Sequence, residues 1–415
     1  MFLPILLVRD FGQAGWWAFA IPNVVGAGAM GWVLRSSLAA SRVRAAHLRA
    51  ARAFSLVTIA FHVFFLSWMT GNLIPLIAMP GIIAAVLVGG AMVLALKEHA
   101  GWFALLVWVS SALVLVNLLV AQPGAISLEL SRSGVLRASD ILWMSPVCAF
   151  GFALCPYLDL TFLRVRRICD GPTGVAAFTI GFGIMFASMI VLTLGYATML
   201  DPAIASLPFH ERPRWAQLAV IHIGVQVAFT LAVHVIELAT PEPALVASPT
   251  ATPTPAGRTT RARGFGPGTA ADEPTAQRAD EPHSPSGRVA SAFPDSGQPR
   301  SARTILLLCV LAAAGLGTAV KLLPNLAGLS ANEIGYRSFM AFYGLVFPTY
   351  VWVCVLPRTT AVPRRTARLA CIAGVLVAMP FFAAGFLWRE SIWLAPGLLI
   401  AMSARWWPVL VRKPG

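Results

Sequence analysis

The stretch GVAAFTIGFGIMFASMIVLTLGYAT, from Gly174 to Thr198, contains no charged residue. As an α-helix with a rise of 1.5 Å per residue it would be about 37 Å long, which exceeds the roughly 30 Å hydrocarbon core of a bilayer. A transmembrane β-strand needs only about ten residues, so a run of this length is typical of a membrane-spanning helix and not of a barrel strand.

Similar apolar runs recur along the whole chain of 415 residues, of which 58% are hydrophobic and 12% charged. A soluble chain carries roughly 25% charged residues, so there is too little polar surface here for a water-soluble body. The sequence therefore predicts an all-α, polytopic transmembrane helical bundle of about 11 helices. The predicted segments, numbered 1 to 11, are 12–34, 54–72, 75–96, 101–120, 141–163, 174–198, 215–238, 304–323, 336–356, 367–388 and 391–411.

The net charge of +14 is explained by the loops between these segments. Alternate loops are rich in Arg, as cytoplasmic loops are, so the charge gives no reason to predict a nucleic-acid partner. The loop at 35–52 and the loops after segments 3, 5 and 9 belong to this basic set, together with the C-terminal tail. We therefore predict a multi-pass protein of the cell membrane, surrounded by the lipid bilayer, with its N-terminus outside and its C-terminus cytoplasmic.

Residues 240–303 differ from everything around them. They contain eleven prolines among Ala, Thr, Ser, Gly and mixed charges, and such a chain cannot bury enough apolar surface to offset the entropy of ordering. We predict a disordered cytoplasmic linker here, with a docking or regulatory tail as the alternative. The linker would separate a membrane domain at 1–239, with segments 1–7, from a second at 304–415, with segments 8–11.

Segment 1 contains IPNVVGAGAMG, from Ile21 to Gly31. Pro22 removes a backbone donor, Asn23 places an amide at membrane depth, and Gly26 and Gly28 weaken the helix beyond it. A discontinuous helix would free backbone groups to bind a solute or cation. The alternative is a kinked helix whose small residues form a packing face.

Segment 6 carries Thr179, Gly181 and Gly183, and two glycines two positions apart also loosen a helix. If segments 1–5 and 6–10 form a five-plus-five inverted repeat, segments 1 and 6 occupy equivalent positions. Paired interrupted helices of this kind indicate a binding site near the bilayer midplane. We therefore predict that substrate or ion binding involves both segments.

Segment 7 has a polar residue at every fourth position: His222, Gln226, Thr230 and His234. This spacing stacks them along one face of a helix. Together with His62 of segment 2 they are predicted to line a cavity. Hydrogen bonding between helices is the alternative.

Carboxylates are scarce in the apolar segments, where only Asp159 and Glu237 are found, both near predicted cytoplasmic ends. We expect Asp159 to pair with Arg164 and Arg166. Without a carboxylate at mid-membrane a proton relay is disfavoured, whereas backbone carbonyls and hydroxyls suffice for a sodium ion.

Common motifs of enzymes and metal sites are absent from the sequence. The sequence has no P-loop, HExxH or GxSxG motif, and its six cysteines form no CxxC pair. We therefore predict neither an enzyme nor a bound cofactor or metal.

The stretch DFGQAGWWAFAIPNVVGAGAMGWV, from Asp10 to Val33, resembles the first core helix of sodium:solute symporters. That family belongs to the group of transporters with a five-plus-five inverted repeat and broken first and sixth core helices. The resemblance covers about 25 residues and implies substrate or ion binding at Pro22, Asn23, Gly26 and Gly28. This chain departs from the family in starting outside and in lacking a Ser/Thr pair on segment 8, where Thr318 stands alone.

Taken together, these features predict a secondary transporter of a small polar solute, with symport of a cation. Binding would lie between segments 1 and 6. A non-catalytic membrane sensor or assembly component is the first alternative, and a membrane-embedded enzyme is the second.

Overall fold

The computed structural model describes residues 3–73, 101–123, 136–195, 207–240, 300–319, 328–356 and 362–410. The chain divides into two units, one formed by Met1–Thr240 and Arg300–Gly415 and the other by Pro241–Pro299. The second unit, which contains most of the predicted linker at 240–303, lies outside the described residues. So does segment 3, at 75–96.

The described residues form mainly helices. The helices are numbered α1 to α13 in chain order. They are α1 Leu3–Phe11, α2 Gln13–Val33, α3 Ser37–Leu73, α4 Gly101–Ala121, α5 Ile141–Leu154, α6 Leu160–Ile168, α7 Gly171–Gly195, α8 Arg214–Ala239, α9 Arg300–Ala319, α10 331–355, α11 Arg364–Leu387, α12 Leu394–Ser403 and α13 Trp407–Leu410.

Within the described ranges, seven helical segments are long and apolar enough to cross a membrane: Ser37–Ser67, Gly101–Ala121, Ile141–Leu158, Gly171–Gly195, Arg214–Ala239, Glu333–Val355 and Arg364–Leu387. The protein is therefore an all-α, multi-pass integral membrane protein. Segments 8 and 11 contain only shorter apolar helices, Thr304–Gly317 and Ser391–Ser403, and α2 lies outside the set of seven although it has 21 residues. The count of eleven and the inverted repeat stay predictions.

The expected interruption of segment 1 is wrong, because residues 13–33 form one continuous α-helix with Pro22 inside it. The glycines explain why the helix persists. A Cβ on Gly26 would lie 2.4 Å from the carbonyl oxygen of Phe152, and one on Gly31 would lie 2.6 Å from the Cβ of Phe178. These glycines allow α5 and α7 to approach α2 closely, which is the packing face named as the alternative.

We expect Gly26→Ala to destabilise the protein and Gly28→Ala to leave it nearly unchanged. The new methyl group at position 26 would meet the α5 backbone, which cannot rotate away, and such overpacking costs about 1–3 kcal/mol. At position 28 the nearest atom is the Cβ of Phe182 at 3.8 Å, an ordinary contact distance. Thermal unfolding of the two purified variants, followed by tryptophan fluorescence, makes the comparison. Equal midpoints would contradict the close contact of α2 with α5.

The prediction of a loop at 35–52 is wrong, because most of this stretch belongs to helix α3. It begins at Ser37, runs for 37 residues, and departs from helical geometry only at His47, with φ −125° and ψ 19°. Arg and Ala are strong helix formers, so the basic residues of this stretch do not interrupt the helix. Its start is fixed by Asp170, whose Oδ1 accepts a hydrogen bond of 2.8 Å from the Ser37 backbone N–H. This bond holds the pKa of the Asp170 carboxyl below its ordinary value.

Segment 5, predicted as one helix at 141–163, is two helices. Helix α5 ends in a 3₁₀ turn at Cys155–Leu158, and α6 starts after Asp159, whose φ of −73° and ψ of 113° are extended. Pro156 lacks the N–H that would continue the helix. Asp159 is the N-cap of α6, a position that favours Asp.

Helix α7 widens where the two glycines of segment 6 loosen it. Residues Gly181–Phe186 form a π-helical turn between two α-helical parts. Helix α10 contains two more such turns, Phe342–Val346 and Val351–Val355. Turns of this kind occur frequently at functional sites.

Candidate functional site: a central cavity

A cavity of about 260 Å³ lies between α2, α3, α5, α7 and α10. Its wall is mainly apolar, with Phe19, Phe54, Met144 and Val147 among the residues that form it. Binding sites for small molecules are concave, mostly apolar and equipped with a few polar groups. This cavity has that composition, and its polar groups come from α2, α3, the junction of α5 and α6, α7 and α10.

Three of these polar side chains have hydrogen-bonding capacity left over. The Asn23 side chain on α2 has no hydrogen-bond partner among the described residues, although it lines the cavity. His62 on α3 uses Nδ1 to contact the Thr58 carbonyl at 2.7 Å, which leaves Nε2 without a partner in the described part of the chain. Polar groups without partners in an apolar environment cost several kcal/mol each, so water or a ligand is needed beside them.

Asp159 is the third polar side chain and carries the one carboxylate among the described residues of the cavity wall. Its Oδ1 accepts hydrogen bonds from the backbone N–H and the hydroxyl of Thr161, at 2.8 and 2.6 Å. Its Oδ2 accepts none within the described ranges. The expected ion pair with Arg164 and Arg166 is wrong, since Arg164 pairs with Glu237 and Arg166 donates to the carbonyl oxygens of Leu34 and Cys169.

A short polar chain connects three residues of the cavity wall. Tyr343 on α10 has its hydroxyl 2.9 Å from the hydroxyl of Thr58, and the carbonyl of Thr58 contacts His62. Asp159 and Asn23 line the same cavity.

The widened turns of α7 and α10 both reach this cavity. Phe186 ends the first turn, and Tyr343 and Gly344 lie in the first turn of α10, and all three line the wall. A π-helical turn shifts the side chains on either side of it relative to a regular helix. Here the turns lie where helices border the cavity.

The predicted binding residues of segments 1 and 6 are placed close to one another, but most lie away from the cavity. Asn23 lines the cavity, whereas Pro22, Gly26 and Gly28 do not. Thr179 is exposed, and its hydroxyl accepts a hydrogen bond of 3.2 Å from Trp32 and donates one to Val175. Gly181 and Gly183 have open space where a Cβ would be. Segments 1 and 6 do pack together, through Gly31 and Phe178 among others.

The polar face of segment 7 joins helices instead of lining the central cavity. His222 lies 3.1 Å from the Ser110 hydroxyl and 2.9 Å from the Ser111 hydroxyl, both on α4, and Gln226 donates to Ser111 at 3.0 Å. Thr230 donates to the carbonyl of Gln226. His234 lies 3.2 Å from the Ser55 hydroxyl on α3. The alternative interpretation, hydrogen bonding between helices, describes His222, Gln226 and His234, whereas Thr230 bonds within its own helix.

Two charged networks lie at opposite ends of α2, which as a 21-residue helix is about 31 Å long. The Asp10 network, at its start, contains Arg9, Asp10, Glu333, Arg337 and Arg389. The Glu237 network lies toward the end where Leu34 contacts Arg166, and it joins Arg44 and Arg164 to the Glu237 carboxylate at 3.1 and 2.9 Å. Both networks fix helices around the cavity.

Asp159 and Tyr343 were not predicted as site residues. The one signal in the sequence was Pro156 followed by Asp159 and Thr161, a pattern that ends one helix and caps the next. In the described residues no group of three or more His, Cys, Asp or Glu side chains is placed to hold a metal ion.

Comparisons with protein-family models, with curated proteins and with solved structures find no match for this chain.

Proposed function

We propose that this protein is a secondary transporter that binds a small polar solute in the central cavity and couples its movement to a cation. The observation that carries the proposal is the central cavity, lined by the amide of Asn23, the Nε2 of His62 and the Oδ2 of Asp159, none of which has a hydrogen-bond partner among the described residues. Carboxylates within membrane domains mark ion and substrate pathways. Asp159 would hold the positive charge, either of a cation or of a protonated amine on the solute.

Alternating access requires that the cavity be reached by water from each side of the membrane in turn. Two native cysteines make this testable. Cys148 lines the cavity, whereas Cys371 does not, and both are buried, with 5% of each residue exposed. The two thiols therefore differ in access to the cavity while sharing a similar depth of burial.

In variants that retain a single cysteine, we expect Cys148 to react with a small, charged methanethiosulfonate reagent and Cys371 to remain unmodified. Reagent is added to inside-out and to right-side-out membrane vesicles, and modification is read by mass spectrometry. Access to Cys148 from both sides supports a transport pathway. Equal reactivity of the two cysteines, or no reaction at Cys148 from either side, would contradict the proposal.

Uptake tests the chemistry of the solute. Proteoliposomes with an imposed sodium or proton gradient are given radiolabelled neutral amino acids, polyamines, hexoses and nucleosides as probes. Saturable, gradient-dependent accumulation of one class supports the proposal. Solutes with a protonated amine are expected to be favoured because Asp159 is the one carboxylate on the described cavity wall.

One observation favours a second function. His62 and Asp159 line the same cavity, and a histidine and a carboxylate are the groups that general acid–base catalysis needs. A membrane-embedded enzyme would open to one side of the membrane or to the lipid. Labelling of Cys148 from only one side, with no accumulation of any probe, would favour this function over transport.

A further inference from the structure

A second cavity of about 260 Å³ lies between α3, α10 and α11, and the proposed transport function does not use it. Its charged and polar lining consists of His47, Tyr350, Arg364 and Arg368. None of the described residues that line it is acidic. Two guanidinium groups therefore border one cavity without a carboxylate on its wall.

His47 contacts a tyrosine hydroxyl on the wall of this cavity. The Nδ1 of His47 lies 3.1 Å from the Oη of Tyr350, and the two rings meet edge to face with centroids 5.8 Å apart. Arg364 and Arg368 border the same cavity. His47 is also the residue at which α3 departs from helical geometry.

Helix α11 begins at this cavity, and its start carries an unusual charge pattern. Its first residue is Arg364, the N-cap position holds Pro363 without a side-chain cap, and the first turn has no acidic residue. The N-terminus of a helix carries a partial positive charge and several N–H groups without helical partners. Arginines at this end are repelled by the partial positive charge of the helix N-terminus. An anion there would be stabilised by the arginines and by the helix dipole.

We infer that this cavity binds a phosphoryl group. A phosphoryl group offers several strong acceptor oxygens, and arginine guanidinium groups bind such oxygens in a bidentate manner. Because His47 and Tyr350 bond to each other, the pair would add one further donor. The same chemistry is found in a phospholipid headgroup and in free inorganic phosphate, and basic pockets between transmembrane helices bind anionic headgroups.

The test compares Arg364→Gln/Arg368→Gln with Arg365→Gln in the full-length protein. Arg365 lies in the same helical turn and is exposed like the other two, but it does not line the cavity. The single substitution therefore removes a charge from the same helix start without changing the cavity wall. Arg368→Gln alone is a second variant in case the double variant does not fold.

Two probes distinguish the sources of the phosphoryl group. Inorganic phosphate is titrated onto protein purified in a phosphate-free detergent, and binding is read from the shift in the thermal unfolding midpoint. Phosphatidylglycerol is titrated onto detergent-purified protein, and bound lipid is counted by native mass spectrometry. Removing both arginines should weaken binding roughly thirtyfold, and removing Arg368 alone about fivefold. Arg365→Gln should weaken binding by less than Arg368→Gln does. Arg365 adds to the positive charge of the helix start but does not line the cavity.

Retention of phosphatidylglycerol without a response to phosphate identifies a lipid headgroup site. A response to phosphate alone identifies a site for a free anion, and competition between the two shows that both occupy the cavity. The inference is overturned if Arg365→Gln weakens binding as much as Arg368→Gln does. It is also overturned if neither probe binds the wild-type protein.

Discussion

Replacing Glu237 by Gln should destabilise the protein by about 3–5 kcal/mol, because the substitution leaves a buried arginine without its countercharge. Glu237 and Arg44 each expose 2% of their side chains, and their ion pair of 3.1 Å connects the end of α8 to α3. Arg164 of α6 donates to the other carboxylate oxygen at 2.9 Å. A glutamine can accept a hydrogen bond from one of the two arginines, but it cannot compensate their charges.

The position of Glu237 near the C-terminus of α8 means that its stability there depends on the Glu237 network. A carboxylate near a helix C-terminus is repelled by the helix dipole, so it remains there only because the arginines stabilise it. Glu211→Gln is the matched control, since Glu211 is 54% exposed and contacts only His210. The free energy of unfolding of each variant, from denaturant titration in detergent, gives the comparison.

A double variant separates charge from packing. Arg44→Met/Glu237→Met removes both members of the buried pair and keeps apolar volume in their place, and such replacements are often neutral or stabilising. We expect it to recover most of the stability that Glu237→Gln loses. If Glu237→Gln is no worse than Glu211→Gln, the pair contributes little and the two helices are held by apolar contacts.

Helix bounds that depend on hydropathy alone could be predicted closely from the sequence. Segment 1 was expected at 12–34 and α2 is Gln13–Val33, and segment 7 was expected at 215–238 and α8 is Arg214–Ala239. In both cases polar or helix-breaking residues follow an apolar run at each end. The length of the run then sets the length of the helix.

The start of α3 could not be predicted in the same way. Arginines were taken as markers of a loop, but they are also good helix formers. What decides between the two is a partner far away in the sequence, as Glu237 is for Arg44. Hydropathy contains no information about that contact.

The candidate site shows the same limit. Asn23 and His62 are polar residues within apolar runs, and such residues can be recognised one helix at a time. The spacing of His222 and Gln226 is equally suited to a cavity wall and to a bond between helices, because periodicity shows which residues share a face but not what that face contacts. Asp159, Thr58 and Tyr343 come together only because α5 ends at Pro156 and α10 crosses beside it.

Replacing Arg337 by Gln should also cost about 3–5 kcal/mol, and it should change access to the central cavity as well. Arg337 exposes 5% of its side chain and lies at the centre of the Asp10 network. It donates to Asp10 at 2.6 Å, to Glu333 at 2.7 Å and to the carbonyl of Phe386 at 3.1 Å. These bonds connect α1, α10 and the end of α11.

Arg9→Gln is the matched control, because Arg9 contacts the same two carboxylates from the periphery with 34% of its side chain exposed. Solvent screens such a pair, so we expect a loss of no more than about 1 kcal/mol. The free energies of unfolding of the two variants should therefore differ although each removes one arginine from the same network. Equal losses would show that burial does not decide the contribution of these residues.

The effect on access follows from the neighbours of Arg337. Tyr336 and Phe386 line the central cavity, and Leu3 of α1 lies on its wall as well. The hydrogen bonds of Arg337 thus hold three elements together beside the cavity, and removing them should let water enter from this side more often. In the background with Cys148 as the single cysteine, Arg337→Gln should raise the rate of modification from the side of the Asp10 network and leave the rate from the other side unchanged. A general loosening of the fold would raise both rates together. In the background with Cys371 as the single cysteine, it would also expose that thiol.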